Sequence, residues 1–207
     1  MNPSETKAYL LSVTKQAYRE AMFAATSGNL SIYDRKNDRM YITPASYPYD
    51  RMTAEDIMVI DLNGNILDGK HKPSSEWRMH AAVYRANAHV NAIVHTHSPF
   101  ATSFAINHLP IPAILYEMVF FLGGDVPVAA GAVPGTAAVG ENCVEALKDR
   151  YACLMANHGV LAIADKLDMA YTRAVYVEDA AKAYSLALGH GPVCVIDKAT
   201  VDAIRNR

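Results

Sequence analysis

A strand-like run, Ala-Ile-Val-His-Thr-His at residues 92–97, places two histidines two positions apart. Alternate residues of an extended strand point to the same face, so the run predicts a buried strand with His95 and His97 side by side. Two neutral imidazoles crowded on one buried face need a partner that offsets their lost hydration, and a bound metal ion is such a partner. The pair therefore indicates half of a metal site and a sheet that carries it.

Two more side chains could complete this site. His158 follows the apolar run 151–156, and Glu76 lies at the start of a predicted helix. Three imidazole nitrogens and one carboxylate oxygen suit a borderline divalent ion such as Zn²⁺, whose catalytic sites keep one position open to water or substrate. Each of these residues, taken alone, also fits an ordinary structural role.

The other histidines are weaker candidates. His80 comes four residues after Glu76 and could share its helix face, so it either replaces Glu76 as a ligand or packs the helix. We expect surface or capping positions for the remaining four, which are His71, His89, His108 and His190.

Length and composition predict a single domain over residues 1–207, because a chain of this length with 51% hydrophobic residues can bury one sizeable core. The net charge of −2 and the lack of a lysine or arginine cluster argue against a nucleic acid or membrane partner. Three cysteines without CxxC spacing (Cys143, Cys153 and Cys194) favour reduced thiols. With no secretory signal and no bilayer-spanning stretch visible, we expect a cytoplasmic protein.

Apolar periodicity predicts helices at 4–25, 75–85, 100–106, 141–150 and 167–188. It predicts strands at 30–33, 40–43, 57–62, 92–97, 151–156 and 160–164. Hairpin signals such as Asn63-Gly64-Asn65 are as evident as helical crossovers. The expected fold is therefore α/β, a three-layer α/β/α sandwich around a mostly antiparallel, mixed sheet.

Two loops could hold a phosphate. The segment 26–29, Thr-Ser-Gly-Asn, joins a helix to a strand, and its glycine lets backbone amides approach an anion closely. Ser74 and Ser75 precede the Glu76 helix, where free amides and the helix dipole favour an anion. Ordinary turn formation and helix capping are the alternatives, although Trp77 and Arg78 stand where a capping box needs Glu or Gln. A metal beside an anion site indicates a small sugar phosphate as the substrate.

Taken in order, five motifs resemble the class II aldolase/adducin family over residues 7–195. They are Thr-x-Gly-Asn-x-Ser, Ile-Thr-Pro, Pro-Ser-Ser-Glu-Trp-Arg-x-His, the His-x-His strand and a later His-Gly. The resemblance implies zinc-dependent, reversible cleavage of a phosphorylated ketose to dihydroxyacetone phosphate and a small aldehyde. It also implies a homotetramer with active sites at subunit interfaces.

The resemblance assigns roles to individual residues. It implies that His95, His97, His158 and Glu76 bind Zn²⁺, with Co²⁺ or Mn²⁺ as alternatives, and that Glu76 also transfers a proton. It implies a phosphate site made of six residues, which are Thr26, Gly28, Asn29, Ser46, Ser74 and Ser75; Ser46 stands where the family has a glycine.

The chain departs from the family pattern at the aldehyde end of the pocket. Glu117 aligns with a tyrosine that acts as the acid toward the aldehyde, so we expect Glu117 or the neighbouring Tyr116 to take that role. Ala45 replaces a hydroxyl-bearing phosphate contact, and the sequence ends before a segment that supplies a second tyrosine in relatives.

Several related activities stay open at this stage. They are a 5-deoxyribulose or 5-methylthioribulose 1-phosphate aldolase, a pentulose-phosphate 4-epimerase, a dehydratase and a non-catalytic adducin-like scaffold. Glu76 favours an aldolase because the related epimerases carry aspartate at this place. The presence of all four candidate ligands argues against a scaffold.

Overall fold

The computed structural model describes residues 1–206. The helices are α1 (Pro3–Arg19), α2 (Trp77–Ala86), α3 (Pro99–Ile106), α4 (Ala137–Leu147), α5 (Leu167–Leu188) and α6 (Lys198–Arg205), with a 3₁₀ turn at Ala54–Asp56 and a π-helical turn at Met118–Leu122. The strands are β1 (Asn29–Asp34), β2 (Arg39–Ile42), β3 (Met58–Ile60), β4 (Ile66–Asp68), β5 (Ala92–Thr96), β6 (Val128–Ala129), β7 (Ala152–Met155) and β8 (Gly159–Ala164). None of the helices in this part of the chain has both the length and the apolar character that crossing a bilayer requires.

All eight strands form one sheet in the order β4-β3-β2-β1-β5-β8-β7-β6. Neighbouring strands run antiparallel except β6 and β7, which are parallel. The expected mixed, mostly antiparallel sheet is therefore confirmed. β5 lies near the middle, where His95 pairs with Asn29 of β1 on one side and with Leu161 of β8 on the other.

Helices cover both faces of the sheet, which confirms the three-layer arrangement. Val94 of β5 belongs to the core formed with α1, α3 and α5, whereas its neighbour Ile93 belongs to the core formed with α2 and α4. This split follows from the alternation of side chains along a strand. α2 and α4 pack very closely because Gly140 has no side chain; a Cβ there would lie 2.6 Å from the Cβ of Ala82.

Several element boundaries differ from the prediction. α1 ends at Arg19 instead of residue 25, because Ala21 adopts a left-handed conformation (φ 58°). Met22 and Phe23 are still buried, so the apolar pattern continued after the helix had ended. α4 begins at Ala137 and ends before Lys148, which has a φ of 30°, and the predicted helix at 141–150 was therefore displaced toward the C-terminus. The prediction did not include α6.

Candidate active site

Three histidines converge where the C-terminal end of β5 meets the N-terminal end of β8. His95 lies in β5 and is fully buried, His97 follows the end of that strand, and His158 lies in the turn between β7 and β8. The three ring centroids are 4.8 to 5.0 Å apart in pairs. One nitrogen from each ring lies within 4.8 Å of the other two. The convergence predicted for these three imidazoles is thus present in the fold.

The turn at His158 is held tightly against β5. Asn157 adopts a left-handed conformation (φ 57°), its backbone N–H donates to the Ala105 carbonyl at 3.0 Å, and its side-chain oxygen lies 2.6 Å from His108 Nε2. Gly159 follows, and a Cβ at that position would lie 2.3 Å from the Thr96 carbonyl oxygen. Only glycine permits this approach, so Gly159 sets how close His158 comes to the other two rings.

Glu76 completes the cluster from the segment that leads into α2. Its Oε2 lies 3.2 Å from His95 Nε2, and its Oε1 lies 3.2 Å from His158 Nε2. The carboxyl is buried, yet Oε1 makes no hydrogen bond of acceptable geometry. A buried polar atom without a partner is costly, which indicates that this oxygen has a ligand to bind.

Three of the distances between these donor atoms match the spacing expected around a single divalent cation. Two bonds of about 2.0 Å that meet at a tetrahedral angle separate their donor atoms by about 3.3 Å. The Glu76 contacts of 3.2 Å match this value, and the Nε2 atoms of His95 and His97 are 3.0 Å apart. His95 donates from Nδ1 to the Val160 carbonyl at 2.8 Å, so its Nε2 lone pair faces the cluster.

The protonation states suit metal binding as well. Burial lowers the pKa of His97 to about 4 and also lowers the pKa of His158, so both rings are neutral near pH 7. Burial disfavours the charged form of Glu76, but the contacts of its carboxylate with His95 and His158 and the hydrogen bond from Asn29 hold the pKa of this carboxyl well below the usual range. Neutral imidazoles beside an ionised carboxylate are the forms that bind a metal.

The predicted phosphate loops lie next to this cluster. Gly28 has a φ of 76°, and a Cβ there would lie 2.8 Å from the His95 carbonyl oxygen, so the loop at 26–29 runs tightly along β5. Thr43 connects the start of β1 to the segment before α2. Its N–H donates to the Leu30 carbonyl at 3.2 Å, and its carbonyl accepts from Ser74 N–H at 3.1 Å. Segments 26–29, 43–46 and 72–75 therefore meet beside the histidines.

The side chains in these loops differ in exposure. Thr26, Ser46 and Ser75 are exposed, whereas Ser74 is buried and its Oγ accepts from the Glu76 backbone N–H at 3.3 Å. Ser46 has a φ of 52°, a conformation that favours glycine, as expected for a position where the family has that residue. No side chain of the residue before α2 caps the helix, but the backbone N–H groups of Trp77 and Met79 donate to the carbonyls of Ser74 and Glu76 at 3.1 and 2.9 Å.

Other candidate residues lie in different surroundings. Tyr116 and Glu117 are exposed and precede the π-helical turn, and within residues 1–206 neither forms a hydrogen bond or ion pair with the histidine cluster.

Asn29 uses its side-chain amide to donate to Glu76 Oε2 at 2.8 Å. The hypothesis that His80 replaces Glu76 as a ligand is wrong, because its two ring nitrogens contact Ser31 and Asn29.

The remaining histidines have mixed outcomes. His89 and His190 are exposed, as predicted. His71 is half-buried and pairs with the buried Asp56, with its Nε2 2.7 Å from the carboxylate. Cys143 and Cys153 are buried free thiols, and Cys194 is exposed.

A much larger cavity lies elsewhere. It has a volume of about 700 Å³ and opens between α2 and α4, next to Trp77, Arg78 and Glu141. A small cavity of about 10 Å³ lies behind His158. The donor set and its tight spacing, and not cavity size, therefore single out the histidine cluster as the candidate site.

Sequence reasoning missed one group of residues behind Glu76. Asn29 and Ser31 lie two positions apart on β1, and His80 and Tyr84 lie one turn apart on α2. All four are buried, and hydrogen bonds join them in a chain. Both spacings can be read from the sequence, since polar residues at i, i+2 of a strand and at i, i+4 of a helix share a face. The sequence therefore shows a polar face on β1 and another on α2, but it does not show that these two faces pack against each other.

Comparison with known proteins identifies the family. The model of the class II aldolase and adducin N-terminal domain matches residues 8–185. The chain is 36% identical over 170 residues to the 5-deoxy-D-ribulose 1-phosphate aldolase of Bacillus thuringiensis serovar kurstaki, covering 82% of this chain and 79% of that protein. It is 40% identical over 163 residues to the L-fuculose phosphate aldolase of Escherichia coli O6:H1, covering 79% and 74%. A solved structure of L-fuculose 1-phosphate aldolase matches with a TM-score of 0.93 and 36% identity, covering 98% and 95%.

The chain therefore belongs to the class II aldolase and adducin family. Since its relatives in this family are aldolases, the chain is an enzyme of the lyase class, as the resemblance implied.

We expect Gly159→Ala to weaken metal binding, because the new Cβ would push His158 away from His95 and His97. Loss of such positioning typically costs about 10- to 100-fold in metal affinity. Competition with a fluorescent zinc chelator measures this affinity. Gly131→Ala is the matched control, since its Cβ would meet nothing closer than 3.7 Å. Equal zinc affinity in Gly159→Ala and the unmodified protein would contradict this interpretation.

Proposed function

We propose that the protein is a Zn²⁺-dependent aldolase that reversibly cleaves a ketose 1-phosphate, similar to L-fuculose 1-phosphate, to dihydroxyacetone phosphate and a small aldehyde. The observation that carries this proposal is the cluster of three imidazoles and the Glu76 carboxylate at metal-ligand spacing, directly beside loops suited to an anion. The names of the two aldolase relatives support the same reaction.

In this proposal the loops hold the phosphate that all substrates share. Thr26, Ser46 and Ser75 offer exposed groups, and Gly28 lets the backbone of its loop approach an anion. Ser74 and Asn29 complete the set, although the Asn29 amide is also engaged by Glu76. Anchoring the phosphate beside the metal ligands would orient the reacting carbon–carbon bond.

The chemistry follows from the donor set. A divalent ion held by His95, His97, His158 and Glu76 would supply Lewis-acid stabilisation of the negative charge that develops on the substrate's carbonyl oxygen. In cleavage, the aldehyde leaves as the carbon–carbon bond breaks, and the bonding electrons stay with the dihydroxyacetone phosphate half. Glu76 takes up a proton from solvent and delivers it to that carbon, and in synthesis it removes the same proton.

A second proton transfer takes place at the substrate hydroxyl whose oxygen becomes the aldehyde oxygen. Glu117 or Tyr116 would accept the proton from this hydroxyl in cleavage and return it in synthesis. Both residues are exposed, and within the described part of their own chain neither forms a hydrogen bond or ion pair with the cluster. We therefore propose that they act in the site of a neighbouring subunit, in a homotetramer with active sites at its interfaces.

A second candidate differs only in the aldehyde. The Bacillus relative is named a 5-deoxy-D-ribulose 1-phosphate aldolase, and Glu117 departs from the tyrosine of the family pattern. A 5-deoxyribulose or 5-methylthioribulose 1-phosphate would use the same phosphate loops and metal ligands. Incubation with each ketose phosphate, followed by identification of the aldehyde, separates these substrates.

Removal of the metal should abolish cleavage of every ketose 1-phosphate tested, because no other group near the cluster would stabilise the developing charge. The enzyme is treated with a chelator, dialysed and assayed by release of dihydroxyacetone phosphate, and then reloaded with Zn²⁺, Co²⁺ or Mn²⁺. Reloading should restore activity. Full activity in protein shown to be metal-free would refute the proposed reaction.

Glu76→Gln should collapse the cleavage rate by about 10²- to 10⁴-fold, because an amide cannot transfer the proton. Phosphate affinity should change little, and inhibition by inorganic phosphate measures it. Glu55→Gln, at an exposed carboxylate away from the cluster, is the control for the loss of one negative charge. Turnover at the unmodified rate in Glu76→Gln would exclude its role in proton transfer.

Glu117→Gln and Tyr116→Phe test the acid at the aldehyde end. The residue that transfers this proton should lose about 10²-fold or more in cleavage rate when substituted, and the other variant serves as its control. Exchange of the dihydroxyacetone phosphate proton with solvent should persist in both, since that step needs Glu76 and the metal but no acid at the aldehyde end. Unchanged cleavage by both variants would remove this pair from the mechanism.

A further inference from the structure

A continuous chain of hydrogen bonds runs behind Glu76, and three of its members, Tyr84, Ser31 and His80, have no part in the proposed phosphate or metal binding. Tyr84 Oη lies 2.7 Å from Ser31 Oγ, and Ser31 Oγ lies 2.6 Å from His80 Nδ1. His80 Nε2 is 2.5 Å from Asn29 Oδ1, and Asn29 Nδ2 donates to Glu76 Oε2 at 2.8 Å. Tyr84, Ser31 and His80 have no exposed surface, so water does not compete for these contacts.

The Glu76 carboxylate determines which group donates and which accepts in each of these hydrogen bonds. An ionised carboxylate only accepts hydrogen bonds, so Asn29 must present its NH₂ group to Glu76 and its carbonyl oxygen to His80. That oxygen also only accepts, and His80 must therefore donate from Nε2. Burial lowers the pKa of His80 to about 3, so the ring is neutral and carries one proton. Its Nδ1 then accepts from the Ser31 hydroxyl. The Tyr84 hydroxyl has one proton and two acceptors, the Ser31 hydroxyl oxygen at 2.7 Å and the Ser31 carbonyl at 3.1 Å.

From Ser31 through His80 and Asn29, each donor thus points toward Glu76. An asparagine amide can rotate by half a turn, and without a donor behind it the carbonyl oxygen of Asn29 could face the carboxylate and repel it. The Nε2–H group of His80 removes this alternative, because the rotated amide would oppose one N–H group with another. The contact also fixes the Glu76 carboxylate, holding Oε2 on Asn29 while Oε1 stays unpaired on the side of His158.

We propose that His80 is a positioning residue that acts through Asn29 to orient the Glu76 carboxylate for proton transfer. This inference rests on the proposed function and deepens it, since it names what holds the proton-transferring group in place. His80 touches neither substrate nor metal in this account. Its effect should therefore fall on the rate of proton transfer and leave substrate affinity nearly unchanged.

The test uses the tetramer or other native assembly, loaded with zinc, and two substitutions at position 80. His80→Phe removes the donor, whereas His80→Gln places an amide N–H near the position of Nε2 and can still donate to Asn29. The readouts are kcat and KM for the cleaved ketose phosphate, zinc content, and exchange of the dihydroxyacetone phosphate proton with deuterated solvent. The exchange reports Glu76 proton transfer without any aldehyde.

His80→Phe should slow exchange and kcat by about 10- to 100-fold with little change in KM or zinc content, and His80→Gln should recover most of the loss. Val83→Ala is the matched control, because Val83 is fully buried on the same helix and lies outside the hydrogen-bond chain. It should destabilise the protein without slowing exchange. Exchange at the unmodified rate in His80→Phe overturns the inference, whereas a lack of exchange in the unmodified enzyme contradicts the proposed function itself.

A measurement on the unmodified protein covers the case in which His80→Phe does not fold. The ¹⁵N chemical shifts of the His80 ring distinguish the two neutral tautomers. The inference requires the proton on Nε2 and an unprotonated Nδ1. A ring protonated on Nδ1 would leave no donor for Asn29 and would overturn the inference.

Discussion

The antiparallel pairing of β5 with both β1 and β8 determines where the imidazole of His95 lies, and the rest of the site is built around that ring. Backbone hydrogen bonds on both sides leave β5 no freedom to slide. β8 brings Gly159 against Thr96, which sets His158, and β1 brings Asn29 beside His95, which sets Glu76. A metal site needs donors placed to within a few tenths of an ångström, and a doubly paired central strand supplies that rigidity.

Burial of these groups has an energetic cost that only a ligand offsets well. Buried and half-buried imidazole and carboxylate groups lose hydration, and one Glu76 oxygen stays without a hydrogen bond. The protein compensates in part through the bond of His95 to the Val160 carbonyl and the chain of donors that ends on Glu76. These contacts orient the donor atoms inward, so the cluster is organised before any metal binds. The fold therefore bears the desolvation cost of a site that is organised in advance.

Much of this arrangement could be predicted from the sequence. The alternation of His95 and His97 on a strand predicted two adjacent imidazoles, and hairpin signals predicted a mostly antiparallel sheet; both are confirmed. The position of Glu76 beside His158 could not be predicted from local pattern, because it depends on how α2 packs against the sheet. The family resemblance supplied that pairing. Local pattern also misplaced the end of α1, since the buried Met22 and Phe23 continue the apolar periodicity beyond the helix.

The central claim is that one cation is bound jointly by His95, His97, His158 and Glu76. Anomalous diffraction at the zinc absorption edge, from crystals of the zinc-loaded protein, tests it most directly. The account predicts a single strong peak bonded to three imidazole nitrogens at about 2.0–2.1 Å and to a Glu76 oxygen at about 2.0–2.2 Å. A peak at another place in the molecule, or one that is not bonded to His158, would contradict it.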